Sequence, residues 1–190
     1  MADDNTFVMG IDLRFTAHFA ERFKNLIVLE TCTGAGFTTI SLARVAHKVT
    51  TVEIDKSHQD QAIRNVKMAG LIDKVSFIQG SILDQSLLES LLSVDAVFID
   101  PDWAVTGPNH VYRFIDSNTQ PPADRILNKI FEFTENVAIV LPPFINVGEL
   151  VGLPSHERES LFLGSSHELY CLYFGNLMKV KGTTEFRVSD

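Results

Sequence analysis

Cysteine is scarce in this chain. Cys32 and Cys171 are the only two in 190 residues, far apart and without the paired cysteines or neighbouring histidines of a zinc site. That excludes a disulfide framework, and a reducing, cytoplasmic setting is expected. Positive charge is also short, with 16 Lys and Arg against 24 Asp and Glu and a net charge of -8. A broadly basic surface gripping nucleic acid through phosphates alone is thereby excluded, so any such partner must be held locally. No apolar run approaches the roughly 20 residues of a membrane-spanning helix. The acidic start, Met1-Ala2-Asp3-Asp4-Asn5, lacks the basic-then-apolar order of a secretory signal. The six histidines show no His-x-x-x-His spacing, and no metal site is expected. Without internal repeats or low-complexity linkers, 1–190 is expected to be one domain, with 1–10 flexible or an extension.

What the chain does have is alternation. With 45% hydrophobic residues it can bury a sizeable core, and short β-branched runs alternate with segments of helical periodicity. That pattern generates βαβ units, hence a doubly wound α/β fold. Strands are predicted at 26–30, 48–53, 75–79, 94–99 and 137–141, with 169–174 part of a closing hairpin. Helices are predicted at 13–23, from the glycine turn to about Ala46, and at 57–69, 85–92 and 123–133. Residues 102–120, with Gly107, Pro108, Asn109, Asp116, Ser117 and Asn118, read as a long irregular loop of the kind that usually carries function.

Two segments carry chemistry. Val28-Leu29-Glu30-Thr31-Cys32-Thr33-Gly34-Ala35-Gly36 sets a Gly-x-Gly turn between an apolar strand and a helix that opens with Phe37 and Thr38. Such a turn lets backbone approach a ligand at a helix N-terminus, although an ordinary turn has the same sequence. Glu53, in Val52-Glu53-Ile54-Asp55, ends the second strand, where a carboxylate can accept from both hydroxyls of a ribose. A nicotinamide dinucleotide fingerprint needs a third glycine where Phe37 and Thr38 stand, so S-adenosylmethionine is the expected cofactor. In Gln79-Gly80-Ser81-Ile82, after the third strand, Ser81 can reach an adenine edge while Ile54 and Ile82 clamp its faces; core packing is the alternative for each isoleucine. Glu30 can orient the glycine loop or meet the methionine ammonium.

The second segment is Val97-Phe98-Ile99-Asp100-Pro101-Asp102-Trp103. It approximates the (Asp/Asn/Ser)-Pro-Pro-aromatic pattern of enzymes that methylate planar amino nitrogens. Such a nitrogen shares its lone pair with a ring and is a poor nucleophile until acceptors pull on its protons. The Asp100 carboxylate and the Pro101 carbonyl can accept, and Pro101 biases Asp100 toward extended backbone. Transfer would then rest on positioning and electrostatic fit. Trp103, the only tryptophan, can stack on a base or plug the loop. Tyr112 and Arg113 can touch substrate or simply be exposed loop residues, and Asp102 lies beside the acceptors.

These residues resemble the trimethylguanosine synthase family, the RNA cap guanine-N2 methyltransferases, over about 11–179. The likeness runs through Thr16-Ala17-His18-Phe19-Ala20-Glu21-Arg22, Gly34-Ala35-Gly36 with Thr39, Ile40 and Ala43, and Val52-Glu53-Ile54-Asp55. It continues through 62–80 with Asn65, Gly70, Asp73, Lys74, Phe77 and Ile78, then Asp100-Pro101-Asp102-Trp103 with Gly107-Pro108, and finally 136–142 with Tyr173-Phe174-Gly175-Asn176-Leu177. The resemblance implies a Rossmann-like methyltransferase fold with a mostly parallel seven-stranded sheet and an antiparallel edge strand. It also implies methyl transfer to the 2-amino group of guanine in RNA or a nucleotide-like substrate, with Trp103 as the stacking residue. Departures are Asp102 for the family's second proline, Ser81 for an aspartate near adenine, a loop enlarged before Gly107, and no long N-terminal cap-binding region. Two further readings stay open: methylation of another amine-bearing small molecule or protein, and a non-catalytic S-adenosylmethionine-binding subunit.

Overall fold

The structure is a computed structural model that describes residues 10–91, 93–103 and 112–189. The first nine residues of the expected 1–10 extension, the last residue of the fourth predicted helix, and Gly107, Pro108, Asn109 and His110 lie outside the described residues. The chain divides into two compact units, Met1–Phe98 and Ile99–Asp190.

The first unit opens with helix α1, Leu13–Ala20, whose N-terminus is capped by Asp12 accepting from the Arg14 amide. Its buried positions, Phe15, Thr16, Phe19 and Ala20, follow helical spacing and turn one stripe to the core. A 3-10 turn at Glu21–Phe23 completes the segment read as one helix. Strand β1, Ile27–Thr31, leads to α2, Phe37–Val45. Then come β2, Lys48–Glu53, α3, Lys56–Met68, and β3, Val75–Gln79. Helix α4, Gln85–Ser90, precedes β4, Ala96–Ile99. β1 pairs in parallel with β2, and β2 with β3, bringing their carboxyl ends to one edge. Phe19 and Phe23 each pack on Phe98 with ring centroids 5.9 Å apart.

In the second unit, helix α5, Ala123–Phe131, buries Ala123, Ile126, Leu127 and Ile130. Strand β5, Val137–Leu141, is buried at every residue, as a continuous Val-Ala-Ile-Val-Leu run requires. A 3-10 turn at Val147–Gly152 follows, then β6, His156–Leu163, β7, Ser166–Phe174, and β8, Gly182–Val188. β7 runs antiparallel to both β5 and β6, while β8 is parallel to β6.

The strand order is β3-β2-β1-β4-β5-β7-β6-β8. This is the expected α/β, mostly parallel arrangement with an antiparallel element toward one edge, and it holds eight strands rather than seven. The added strand is β8, which joins outside β6. The strand order changes direction at β1 and β4, the kind of position where open α/β sheets bind ligands.

Candidate functional site

The loop after β1 is built by unusual backbone and by side chains that hold it from below. Cys32, Gly34 and Gly36 have φ of 63°, 53° and 80°. A left-handed cysteine is costly, and its amide bond to the Val52 carbonyl at 2.9 Å helps fix it. The two glycines serve different ends. A Cβ on Gly36 would sit 2.9 Å from the Ala62 Cβ and 3.0 Å from its Cα, so this glycine lets the loop pack on α3. A Cβ on Gly34 would meet nothing within 4 Å. Open space above Gly34 is what a ligand against the backbone needs.

Glu53, 7% exposed, clasps this loop from the end of β2. Its Oε2 accepts from the Gly34 amide and its Oε1 from the Asp55 amide, each at 2.9 Å. Each carboxylate oxygen retains a second acceptor direction. Thr33 meets Thr51 of β2 through a short hydroxyl–hydroxyl hydrogen bond. The Asn65 side-chain amide donates to the Ala35 carbonyl at 2.9 Å, tying the loop to α3 again. The Gly80 amide donates to the Glu53 carbonyl at 2.9 Å, drawing the end of β3 beside that of β2.

Glu30 is 1% exposed and accepts from the Thr39 hydroxyl at 2.6 Å, joining β1 to α2. Thr38 is buried and Phe37 half-buried on the first turn of that helix. Ser81 uses its hydroxyl to accept from the Leu83 amide at 3.2 Å. The two isoleucines differ: Ile82 is 5% exposed, whereas Ile54 is 68% exposed at the mouth of the Glu53 clasp. Core packing therefore does not account for Ile54. Asp55 caps α3 by accepting from the His58 amide, which lowers its pKa.

Gly34 and Gly80 are thus both bonded to Glu53, and Gly36 to Thr33, while Glu30 is tied separately to Thr39 of α2. Sequence reasoning gave no role to Cys32, Thr51 or Ala62, and named Thr39 only as part of the family likeness. A non-glycine left-handed residue has no composition signal, and Ala62 matters only because Gly36 leans on it.

In the second unit, the chain leaves β4 through Asp100 and the buried Pro101. Asp102 and Gln120 exchange both backbone hydrogen bonds, at 2.9 and 2.7 Å, closing the loop at its base. The Trp103 and Tyr112 rings meet edge to face, 6.4 Å apart at 85°; Tyr112 is 5% exposed and Trp103 half-buried. The descending limb is pinned by carboxylates: Glu149 accepts from the Phe114 and Ile115 amides and from Arg113, and Asp124 from the Asp116 and Ser117 amides. Burial pushes the Asp100 carboxyl up to about 7, and the nearby Asp102 charge adds to the shift. A carboxyl so poised exchanges its proton near neutrality. Among the described residues, no three His, Cys, Asp or Glu side chains gather closely enough to hold a metal ion.

Comparison with known proteins places this geometry. Residues 25–174 match the RNA cap guanine-N2 methyltransferase family. A solved structure from Porphyromonas gingivalis W83, described as that of a methyltransferase, superposes with a TM-score of 0.73 at 16% identity. It is matched by 94% of this chain, which spans 45% of that protein's length. An rRNA methylase from Streptococcus thermophilus gives a TM-score of 0.58 at 14% identity, covering 87% of this chain and 96% of its own. M. capricolum TrmK, solved with S-adenosylhomocysteine, gives 0.63 at 13% identity, covering 90% and 70%. At such identities the structural likeness establishes the fold.

Proposed function

This chain belongs to the RNA cap guanine-N2 methyltransferase family, and from that premise we propose that it methylates an exocyclic amine of guanine in RNA. It is an S-adenosylmethionine-dependent methyltransferase. We place its activity in the cytoplasm, in keeping with a chain of only two cysteines, far apart in sequence. No helix among the described residues is long and apolar enough to cross a membrane.

The residues of the first unit fit the donor. The observation that carries this reading is the Gly34 backbone, held by Glu53 from below and open above. Glu53 has acceptor directions left for ribose hydroxyls, and exposed Ile54 offers an apolar contact for adenine beside them. Gly80, Ser81 and Ile82 extend that lining; Thr33, Gly36, Phe37, Thr38 and Glu30 shape the loop. Bound there, S-adenosylmethionine supplies an electrophilic methyl group on sulfur.

The acceptor role falls to the second unit. The Asp100 carboxylate and the Pro101 carbonyl accept hydrogen bonds from the guanine amine, localising its lone pair for attack. After transfer, a carboxylate with a pKa near 7 is suited to receive the proton that the newly methylated, cationic nitrogen releases. Trp103, oriented by Tyr112 and flanked by Asp102, presents the ring surface for the base.

Mass spectrometry of nucleosides from RNA incubated with the protein and a labelled methyl donor tests the proposal. N2-methylguanosine carrying the label is the expected product. The absence of methylated guanosine from every RNA pool would refute it.

A further inference from the structure

Within the second unit, an open pocket of about 340 Å³ lies between the Val147–Gly152 turn and the β6–β8 edge. Val147, Leu150 and Leu153 form its apolar wall, and His156, Arg158 and Lys181 its polar side. This pairing stands out in a chain with eight more acidic than basic residues.

The acids nearby are committed elsewhere. Glu149 accepts from Arg113 and two amides. Glu157 points to the opposite face of β6 from Arg158 by strand alternation, and accepts from the Lys179 and Val180 amides and the Thr184 hydroxyl. Glu159, on that same far face, accepts from the Tyr173 hydroxyl, and Glu185 is paired with Arg187 at 2.8 Å. The cations are uncommitted. Arg158 has a buried Nε without a hydrogen-bond partner, and neither it nor Lys181 forms an ion pair among the described residues. Arg158 is nonetheless held in place: its guanidinium lies 5.6 Å from the centre of the half-buried Tyr170 ring. His156 is fixed by its Nδ1 contact with the Pro154 carbonyl at 2.7 Å.

We propose that this pocket is a second RNA-contact site, in which Arg158 and Lys181 take a backbone phosphate and the Val147, Leu150 and Leu153 wall receives the adjoining nucleoside. A pre-oriented guanidinium with no ion-pair partner among the described residues, beside a flexible lysine and an apolar wall, matches a phosphate joined to a planar body. The inference rests on the proposed RNA substrate and deepens it, since a chain of net negative charge must concentrate its phosphate contacts.

The test uses the full chain and a labelled single-stranded RNA 12-mer containing guanines, followed by fluorescence anisotropy. Arg158→Gln with Lys181→Gln is expected to weaken binding roughly tenfold near 0.1 M salt and to reduce the salt slope by about 1.4, two charges at about 0.7 each. Calorimetric affinity for S-adenosylmethionine should not change. Lys181→Glu alone, at an exposed position, should give a partial loss without disturbing the fold. RNA affinity and slope unchanged in the double variant would overturn the pocket while leaving the methyl-transfer proposal intact. Loss of guanosine monophosphate binding without loss of RNA binding would also overturn it. Pocket-dependent RNA binding by a protein that methylates no RNA would support the pocket and sink the proposed function.

Discussion

Replacing Asp100 with Asn should make the protein more stable above neutral pH while removing its activity. The Asp100 carboxyl rises from an ordinary 3.8 to about 7 because burial, with help from Asp102, disfavours its charge. The folded protein therefore binds an extra proton between those two values. Stability is retained in full below 3.8 and is lost as pH climbs through 7. At about 1.4 kcal/mol per pH unit, the upper bound on this loss is roughly 4 kcal/mol. Asp100 is partly exposed, and solvent screening lowers the expected value to about 2 kcal/mol. Asn has the same shape and carries no charge, so the variant escapes the loss. In urea titrations, wild type and Asp100→Asn should differ by a constant below about pH 3.5 and diverge, from there up through pH 7, in favour of the variant by about 2 kcal/mol at pH 8. Methyl transfer should fall on the order of 100-fold or more at every pH, as when a preorganised electrostatic group is removed. A stability difference that stays flat from pH 4.5 to 8 would refute the reasoning.

The other predictions follow from the same two units. Transfer by wild type should rise with pH through an inflection near 7 as Asp100 ionises, and Asp102→Asn, which removes the adjacent charge, should move that inflection to lower pH in a pH–rate profile. Gly36→Ala should cost about 2 kcal/mol in chemical denaturation, combining a left-handed alanine with its clash on Ala62. Gly34→Ala meets no such clash and should cost about 1 kcal/mol, yet weaken S-adenosylmethionine binding at least tenfold in calorimetry. Glu53→Ala should weaken the same binding by a similar factor or more, because it removes the clasp on the Gly34 amide together with the proposed ribose acceptor.

Where burial and hydropathy agree, the sequence was legible. β2, β3 and β5 fall at the bounds expected from their runs: β5 is apolar throughout, and β2 and β3 carry Val-Thr-Thr-Val and Phe-Ile, respectively, as β-branched or apolar centres. β6 carries no clear strand pattern in the sequence, for a physical reason. In His-Glu-Arg-Glu-Ser-Leu-Phe-Leu the buried positions include Glu157 and Glu159, 1% and 4% exposed, so the hydrophobic alternation is inverted. Those carboxylates are admitted because backbone amides, Thr184 and Tyr173 donate to them. β8 escaped notice because Gly182–Val188 has no fully buried position and writes no apolar face. The glycine loop and Glu53 were visible as a motif, but their mutual hydrogen bond was not, since it joins residues 19 positions apart. Asn65 and Ala62 were visible only through family spacing.

Asp102 shows how a departure from a family pattern is repaid locally. The amide of Asp102 donates to the Gln120 carbonyl at 2.9 Å and its carbonyl accepts in return, so both ends of the loop base meet at this residue. Proline, which the family pattern places here, has no N–H and would break half of that bridge. The loop beyond Trp103 is longer than the pattern's, and a longer loop has more closure entropy to offset. A paired backbone at its base is a direct way to do so. The same substitution sets a second carboxylate beside Asp100 and contributes to raising its pKa toward neutrality. One residue exchange therefore ties a structural gain, the closed loop base, to a chemical consequence, a hydrogen-bond acceptor whose ionisation is sensitive to pH in the physiological range.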